Sequence, residues 1–276
     1  MKFIFSIVLI CFGLSLSAND IPKKLKVYEN QLTWSGVGRV NIIGGNHRLC
    51  SGALISDTYI LTAAHCVINE KTGNAHEPNR IQFSAGWGNE GASAYGQAKN
   101  VFIHQKYKTS NIINDEIVSA DLAIIELSMP MKANGIKPYA FHKSSINKQN
   151  IYIASYVESS SLAVIKKEEC NIIERKNKII ITSCSVDFGA SGAPIFIWED
   201  SQFKIASIIS AKAVLGKINV SLGVSLERPF NELISQIFKI NDNKIQLNYF
   251  EDAAKTKPVI PMNSDKYMIS SSEDII

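Results

Sequence analysis

The sequence predicts an all-β fold, a sandwich or a pair of barrels, with one short helix near its C-terminal end. Three observations carry this. From Tyr28 onward, short apolar runs alternate with clusters of Gly, Asn, Asp and Ser, the pattern of strands and turns. The runs are dense enough for a sandwich or barrel architecture. Helical spacing of apolar residues occurs clearly only after Pro229, at Phe230, Leu233, Ile234, Ile237 and Phe238.

Taken in order, residues 1–18 have the make-up of a secretory signal: Met1-Lys2, then an apolar run from Phe3 to Leu16, then Ser15, Ser17 and Ala18 around a cleavage point. The run falls short of the roughly 20 apolar residues that a membrane span needs. Ile10 stands before Cys11, where a lipoprotein signal has a small residue. Residues 19–27 are polar and Lys-rich, an exposed segment. Strand-like runs follow at Gly36–Ile43, Gly52–Ile55, Tyr59–Thr62, Arg80–Ala85, Asn100–His104 and Leu122–Leu127. A linker near Met129–Pro138 separates these from Ile151–Val157, Ser161–Ile165, Lys178–Ser183, Pro194–Trp198, Phe203–Ser210 and Asn219–Leu226. The helix is expected over about 229–239. Residues 241–276 turn polar, with Pro258, Pro261 and a run at Ser270–Asp274, and read as a loosely held tail.

Composition narrows the function. A hydrophobic content of 46%, a charged content of 20% and a net charge of +4 are ordinary for a globular protein. The basic residues are scattered among acids, so nucleic acid is not a predicted partner. Lys166-Lys167-Glu168-Glu169 reads as a solvated surface stretch. Cys11 leaves with the signal, and Cys50, Cys66, Cys170 and Cys184 remain. An even number in an exported chain suggests disulfides, with three pairings open. No Cys-x-x-Cys or His-x-x-x-His pair supports a metal site, and nothing indicates a cofactor, a membrane partner after signal cleavage, or an oligomer. A monomer, secreted or periplasmic, is expected.

Three separated segments carry chemistry. Leu61-Thr62-Ala63-Ala64-His65-Cys66 ends an apolar strand on a histidine. Asp121 directly precedes the apolar run Leu122–Leu127, where a buried carboxylate needs a partner. Gly189-Ala190-Ser191-Gly192-Ala193-Pro194 sets a serine between glycines. A serine hydroxyl needs a base as it attacks, histidine titrates near the working pH, and a carboxylate fixes the histidine tautomer. His65, Asp121 and Ser191 are the candidates for these roles, with Asp115 a rival acid that no strand follows at once. The N–H groups of Gly189 and Ser191 are candidates for an oxyanion hole. The serine segment also approaches a Gly-x-Ser-x-Gly elbow. That motif of α/β-hydrolases needs a histidine after its serine. His47, His65, His76, His104 and His142 all precede Ser191, which excludes it.

On these motifs the chain resembles the trypsin-like (chymotrypsin-fold) serine peptidases, from about Tyr28 to Phe238. Thr62–Cys66 resembles the family's histidine motif, Asp121–Ile125 its aspartate motif, and Gly189–Pro194 its serine motif with two substitutions. The resemblance implies two antiparallel six-stranded β-barrels with the site in the cleft between them. The peptidase domain would be 28–240, with lobe one about 28–130 bearing His65 and Asp121, and lobe two about 139–228 bearing Ser191. It implies a Cys50–Cys66 disulfide, which leaves Cys170–Cys184, and it implies protein or peptide substrates.

Two departures from the animal enzymes inform the reading. Those enzymes pair a freed N-terminal amine with an aspartate just before the serine, and here that residue is Ala190. Ile42-Ile43-Gly44-Gly45 imitates such an N-terminus but lies too close to His65. Trp34–Val40 fits the first barrel strand better, with Gly44-Gly45 as its hairpin turn. Together with the Ser-Gly-Ala-Pro form, this resembles the bacterial secreted branch. The second departure is in the specificity pocket. Ser185 stands six residues before the serine, where trypsin-like members that select Arg or Lys carry an aspartate; Asp187 is out of register. Val186 would line the wall, Ser210 would sit beside Asp121, and Gly223 would form the far wall. This predicts an uncharged residue before the cleaved bond. Lys212 would narrow the pocket or favour an acid, although Ile209 stands where glutamate-specific relatives carry histidine. The alternatives to a peptidase are a catalytically silent binding module on the same scaffold and an esterase using the same three residues.

Overall fold

The computed structural model describes residues 30–240, apart from 45–48, 89, 111–113, 133–134, 145, 147–148, 158–165 and 177. The signal segment 1–18, the segment 19–27, the tail 241–276, the strand expected at Ser161–Ile165 and the side chain of Phe238 lie outside the described residues.

Two closed six-stranded barrels form the molecule. In the first, strands β1 (Val37–Ile42), β2 (Cys50–Leu54) and β3 (Tyr59–Thr62) are followed by a small two-stranded ribbon, β4 (Ile68–Asn69) and β5 (Asn74–Ala75). Strands β6 (Ile81–Ala85), β7 (Ala94–Ile103) and β8 (Ala123–Leu127) complete the barrel in the order β1-β2-β3-β8-β7-β6. All six pairings are antiparallel. Val40, Leu54, Ile60, Phe83, Ile124 and Ile125 are almost fully buried, and because Ile124 and Ile125 are adjacent on β8, both faces of that strand are covered. Val40 pairs with Cys50 and Gly44 adopts a φ of 66° in the turn that follows β1, while Gly45 lies outside the described residues.

The second barrel comprises β9 (Asn150–Ser155), β10 (Lys166–Lys176), β11 (Ile179–Thr182), β12 (Pro194–Glu199), β13 (Gln202–Leu215) and β14 (Ile218–Ser225). It closes as β10-β11-β14-β13-β12-β9 around Ile151, Ile153, Ile180, Ile195 and Ile209. Its outer face meets the first barrel through aromatic rings. Trp34 lies 4.7 Å from Phe203 and Tyr139 lies 4.7 Å from Phe196, centroid to centroid. Contacts of this kind add to the area that the rings bury.

Three features go beyond the expected elements. Lys166-Lys167-Glu168-Glu169, read as a solvated surface stretch, forms the start of β10, paired residue by residue with β9 from Lys166↔Ser155 to Glu169↔Tyr152. Its charges suit a strand with one wet face: Glu169 is exposed whereas Cys170 beside it is buried. The expected C-terminal helix is present, and a shorter one precedes it. A six-residue helix, α1 (Asp115–Ala120), is capped by Asn114, whose side chain accepts from Ile117 N at 3.0 Å. β13 also runs on past Ser210 to Leu215.

The C-terminal helix α2 (Glu227–Ile240) buries Phe230, Leu233 and Ile237. Beside it His104, just past β7, is 2% exposed. Its Nε2 is 3.2 Å from Glu232 Oε2 but off the line of a hydrogen bond, and Lys106 Nζ binds the same oxygen at 2.8 Å. Burial lowers the proton affinity of His104, Glu232 partly offsets this, and Lys106 and Lys178 push it further down. The unfolded chain therefore binds this proton more readily than the folded one. Stability from this group is complete above the ordinary histidine value of 6.5 and is lost as pH falls below it. Thermal melts between pH 7.5 and 5 are expected to show a declining Tm in the wild type and a shallower decline in His104→Gln. Equal slopes would remove His104 as the cause.

Candidate active site

Three chain segments meet between the barrels. β3 ends at Thr62, and a 3-10 turn over Ala64–Cys66 swings His65 toward the cleft. The Cys50–Cys66 disulfide, spanning 16 residues, ties this turn back to β2. Closing a loop of that size limits the unfolded chain by about 3 kcal/mol in the entropic account. The second expected bridge, Cys170–Cys184, is also present and ties β10 to the segment after β11. α1 ends at Asp121, whose N–H donates to Val118 O, and the chain then enters β8. Ser191 sits in a tight turn before β12, with Ala190 N donating to Asp187 O and Ala193 N to Ala190 O.

The side chains form one continuous line. Asp121 Oδ2 is 2.7 Å from His65 Nδ1, and His65 Nε2 is 2.7 Å from Ser191 Oγ. Asp121 Oδ1 also accepts from the backbone N–H of His65 at 3.0 Å. Ser210 Oγ donates to Asp121 Oδ2 at 2.6 Å. All four residues are buried, and Ser191 exposes none of its surface. A carboxylate that accepts three hydrogen bonds has its charge well satisfied. It holds the proton on Nδ1, which leaves Nε2 as the lone pair facing the serine hydroxyl. The rival Asp115 is elsewhere: half-buried at the start of α1, it pairs with Lys176 Nζ at 3.3 Å.

Gly189 has a φ of 99°, a conformation that disfavours any side chain, and a Cβ there would lie 2.5 Å from Tyr156 O. Gly192 has a φ of 73°, and a Cβ there would collide with Thr62 Oγ1 and Ser51 O. The glycines thus permit the serine turn to press directly on the first barrel. Among the described residues, no acceptor takes the N–H of Gly189 or of Ser191. Two such donors beside a nucleophilic oxygen can stabilise an oxyanion.

The expected pocket residues are less gathered. Ser210 lies beside Asp121. Val186 is buried at 9% exposure. Ser185 is exposed, with its N–H donating to Glu168 Oε1 at 2.9 Å. Gly223 packs inside the second barrel, where a Cβ would lie 2.5 Å from Ser207 Oγ and 2.8 Å from Ile195. Nearby, Thr182 and Ser221 share a buried hydroxyl–hydroxyl bond of 2.6 Å. Lys212 Nζ stands 4.4 Å from the ring of Phe188, which is exposed next to Gly189. Cys50, His65 and Cys66 bring ligand-type atoms within 4.8 Å of one another, but the sulfurs are bonded to each other and offer no thiolate. Sequence reasoning missed Ser51, which is fully buried and bonded to the serine turn. Its position after Cys50 is the only sequence signal, and it says nothing of that contact.

Comparison with known proteins agrees with this geometry. The trypsin family profile matches residues 26–225. A trypsin from Phaedon cochleariae is 33% identical over 88 residues, covering 32% of this chain and 31% of that protein. Trypsin Blo t 3 from Blomia tropicalis is 28% identical over 156 residues, covering 53% of this chain and 52% of that protein. The chain thus spans about half or less of the length of these curated relatives. A solved structure of a Glu endopeptidase in complex with MPD superposes with a TM-score of 0.63 at 18% identity, covering 76% of this chain and 94% of that one. That likeness supports the fold.

Proposed function

The chain belongs to the trypsin family, and from this premise we propose that it is an exported serine endopeptidase acting through Ser191, His65 and Asp121. The observation that carries the reading is the unbroken hydrogen-bonded line from Asp121 through His65 to Ser191 Oγ. In the first step Ser191 Oγ attacks the scissile carbonyl carbon as His65 Nε2 takes the hydroxyl proton. The oxyanion is received by the N–H groups of Gly189 and Ser191. His65 passes its proton to the leaving amine, the C–N bond breaks, and an acyl-enzyme remains. Water, deprotonated by the same nitrogen, hydrolyses the ester and restores Ser191. Asp121 holds His65 oriented and stabilises its positive form, while Ser210 steadies the carboxylate.

Export rests on the leader composition of residues 1–18 and on the two disulfides, which persist in oxidising surroundings. No described helix is long and apolar enough to cross a membrane. Ala190 before Ser191 and the Ser-Gly-Ala-Pro form favour kinship with the bacterial secreted members, whereas the similar curated trypsins above come from arthropods. The protein works as a monomer on protein or peptide substrates.

For the residue before the cleaved bond, an uncharged side chain fits best. Ser185 brings no charge, Val186 is apolar, and the Thr182 and Ser221 hydroxyls satisfy each other. Lys212 beside the serine turn supports a second reading, a preference for an acid, the specificity for which the Glu endopeptidase is named. A peptide-library digest by the secreted protein decides between them. Cleavage after small or apolar residues is expected, cleavage after Glu or Asp installs the acidic reading, and cleavage after Lys or Arg overturns both. Labelling by a fluorophosphonate separates an enzyme from a silent binding module, and hydrolysis of esters but not of peptides would mark an esterase.

A further inference from the structure

Resting on the peptidase reading above, we infer that Ser51 is a positioning residue that locks the oxyanion side of the serine turn, the part that an aspartate at position 190 would otherwise anchor. Ser51 lies on β2 of the first barrel, one residue after Cys50, and exposes none of its surface. Each of its polar groups is engaged. Its N–H donates to Ser191 O at 2.7 Å. Its hydroxyl donates to Gly189 O at 2.8 Å and accepts from Tyr156 N at 2.9 Å. Its carbonyl accepts from Thr62 Oγ1 at 2.8 Å.

Three of these four bonds leave the first barrel and grip the second. Two of them hold the candidate oxyanion residues, Gly189 and Ser191, by their carbonyls. A peptide plane moves as a unit, so Gly189 O carries the Ala190 N–H with it and Ser191 O the Gly192 N–H; the plane that holds the Ser191 N–H lies between these two held planes, and the plane that holds the Gly189 N–H adjoins the first of them at the Gly189 Cα. The Gly189 backbone, at a φ of 99°, is the least restrained by sterics and profits most from such a hold. Thr62 extends the link to β3, two residues before the turn that carries His65. Ser51 therefore sets the base and the oxyanion donors in one frame. The neighbour of Ser191 is Ala190, itself fully buried, which supplies no charge for an ionic anchor.

Because the hydroxyl touches neither substrate nor reacting atom, its loss should act on turnover rather than on substrate capture. Ser51→Ala leaves the backbone bond to Ser191 in place and frees Gly189 O. The expected result is a fall in kcat of roughly 10- to 100-fold with KM changed less than about threefold, the size of effect that slight misplacement of catalytic groups produces. Affinity for a peptidyl boronic acid, which needs the oxyanion donors, should fall in parallel. Ser35→Ala is the control: its hydroxyl is likewise buried and bonds Leu32 O and Gly135 O, far from the site. It should lower Tm comparably and leave kcat unchanged. If the alanine variant does not fold, Ser51→Gly gives the same readout. Wild-type kcat in a folded Ser51 variant of an active enzyme would overturn the positioning role alone. A wild type that neither reacts with fluorophosphonate nor cleaves peptides would overturn the peptidase reading and this role with it.

Discussion

Ser191→Ala is expected to abolish fluorophosphonate labelling and to lower kcat by about 10⁶-fold while the fold survives. The asymmetry follows from what Ser191 does in the structure. Its hydroxyl has one partner, His65 Nε2 at 2.7 Å, whereas its carbonyl, which alanine retains, accepts from Ser51 N. Losing one such bond costs the fold about 1 kcal/mol. Losing the nucleophile removes the covalent route altogether, and only binding and the oxyanion donors remain. These account for roughly 10³- to 10⁴-fold over water in comparable enzymes. The measurement is active-site labelling together with kcat and Tm on the same preparation. Retained peptide hydrolysis in folded Ser191→Ala would place the chemistry on another residue. The wild type bears on the outcome too, because Ser191 is fully buried and the probe must reach its Oγ for labelling to occur.

The triad segments are legible in the chain because each combines a chemical residue with a strong local signal. His65 follows an apolar strand and precedes a cysteine, Asp121 precedes a strand of the same kind, and Ser191 is flanked by glycines whose positive φ values the tight turn requires. The barrel strands are legible for the same local reason: alternation and turn residues act over a few positions. Where local signal is weak, sequence and structure part. Six residues of α1 complete fewer than two helical turns, and Ile117 and Val118 there suit a strand as well as a helix. β10 opens on four charged residues, and only its pairing with β9 shows that it is a strand. Ser51 and the residues around Lys212 and Phe188 depend on how the barrels meet. Contacts between distant segments leave no periodic trace in either one. The pocket is the least legible part, because counting back from Ser191 transfers single positions without their surroundings. Only six residues lie between Cys184 and Ser191, and the disulfide to Cys170 and the bond from Ser185 N–H to Glu168 tie the front of that stretch to β10.

Asp121→Asn is expected to lower kcat by about 10⁴-fold with little change in KM or Tm, a larger loss than its near-identical shape suggests. The carboxylate faces donors on every side: His65 N, His65 Nδ1–H and Ser210 O–H. An amide has one accepting oxygen and one donating nitrogen. If the oxygen keeps the backbone N–H of His65, the amide nitrogen faces His65 Nδ1 and Ser210 Oγ. The hydroxyl of Ser210 can rotate to accept, and Nδ1 accepts once the imidazole proton moves to Nε2. Every hydrogen bond is then satisfied and the fold is kept. The proton now sits on the nitrogen that should receive one from Ser191, so the base is blocked. Asp115→Asn, on α1 and paired with Lys176 rather than with His65, should leave kcat unchanged. A loss of less than tenfold in Asp121→Asn, or an equal loss in Asp115→Asn, would show that the orienting acid is not Asp121. A loss confined to Asp121→Asn, with intact Tm, would assign the effect to the tautomer and not to packing.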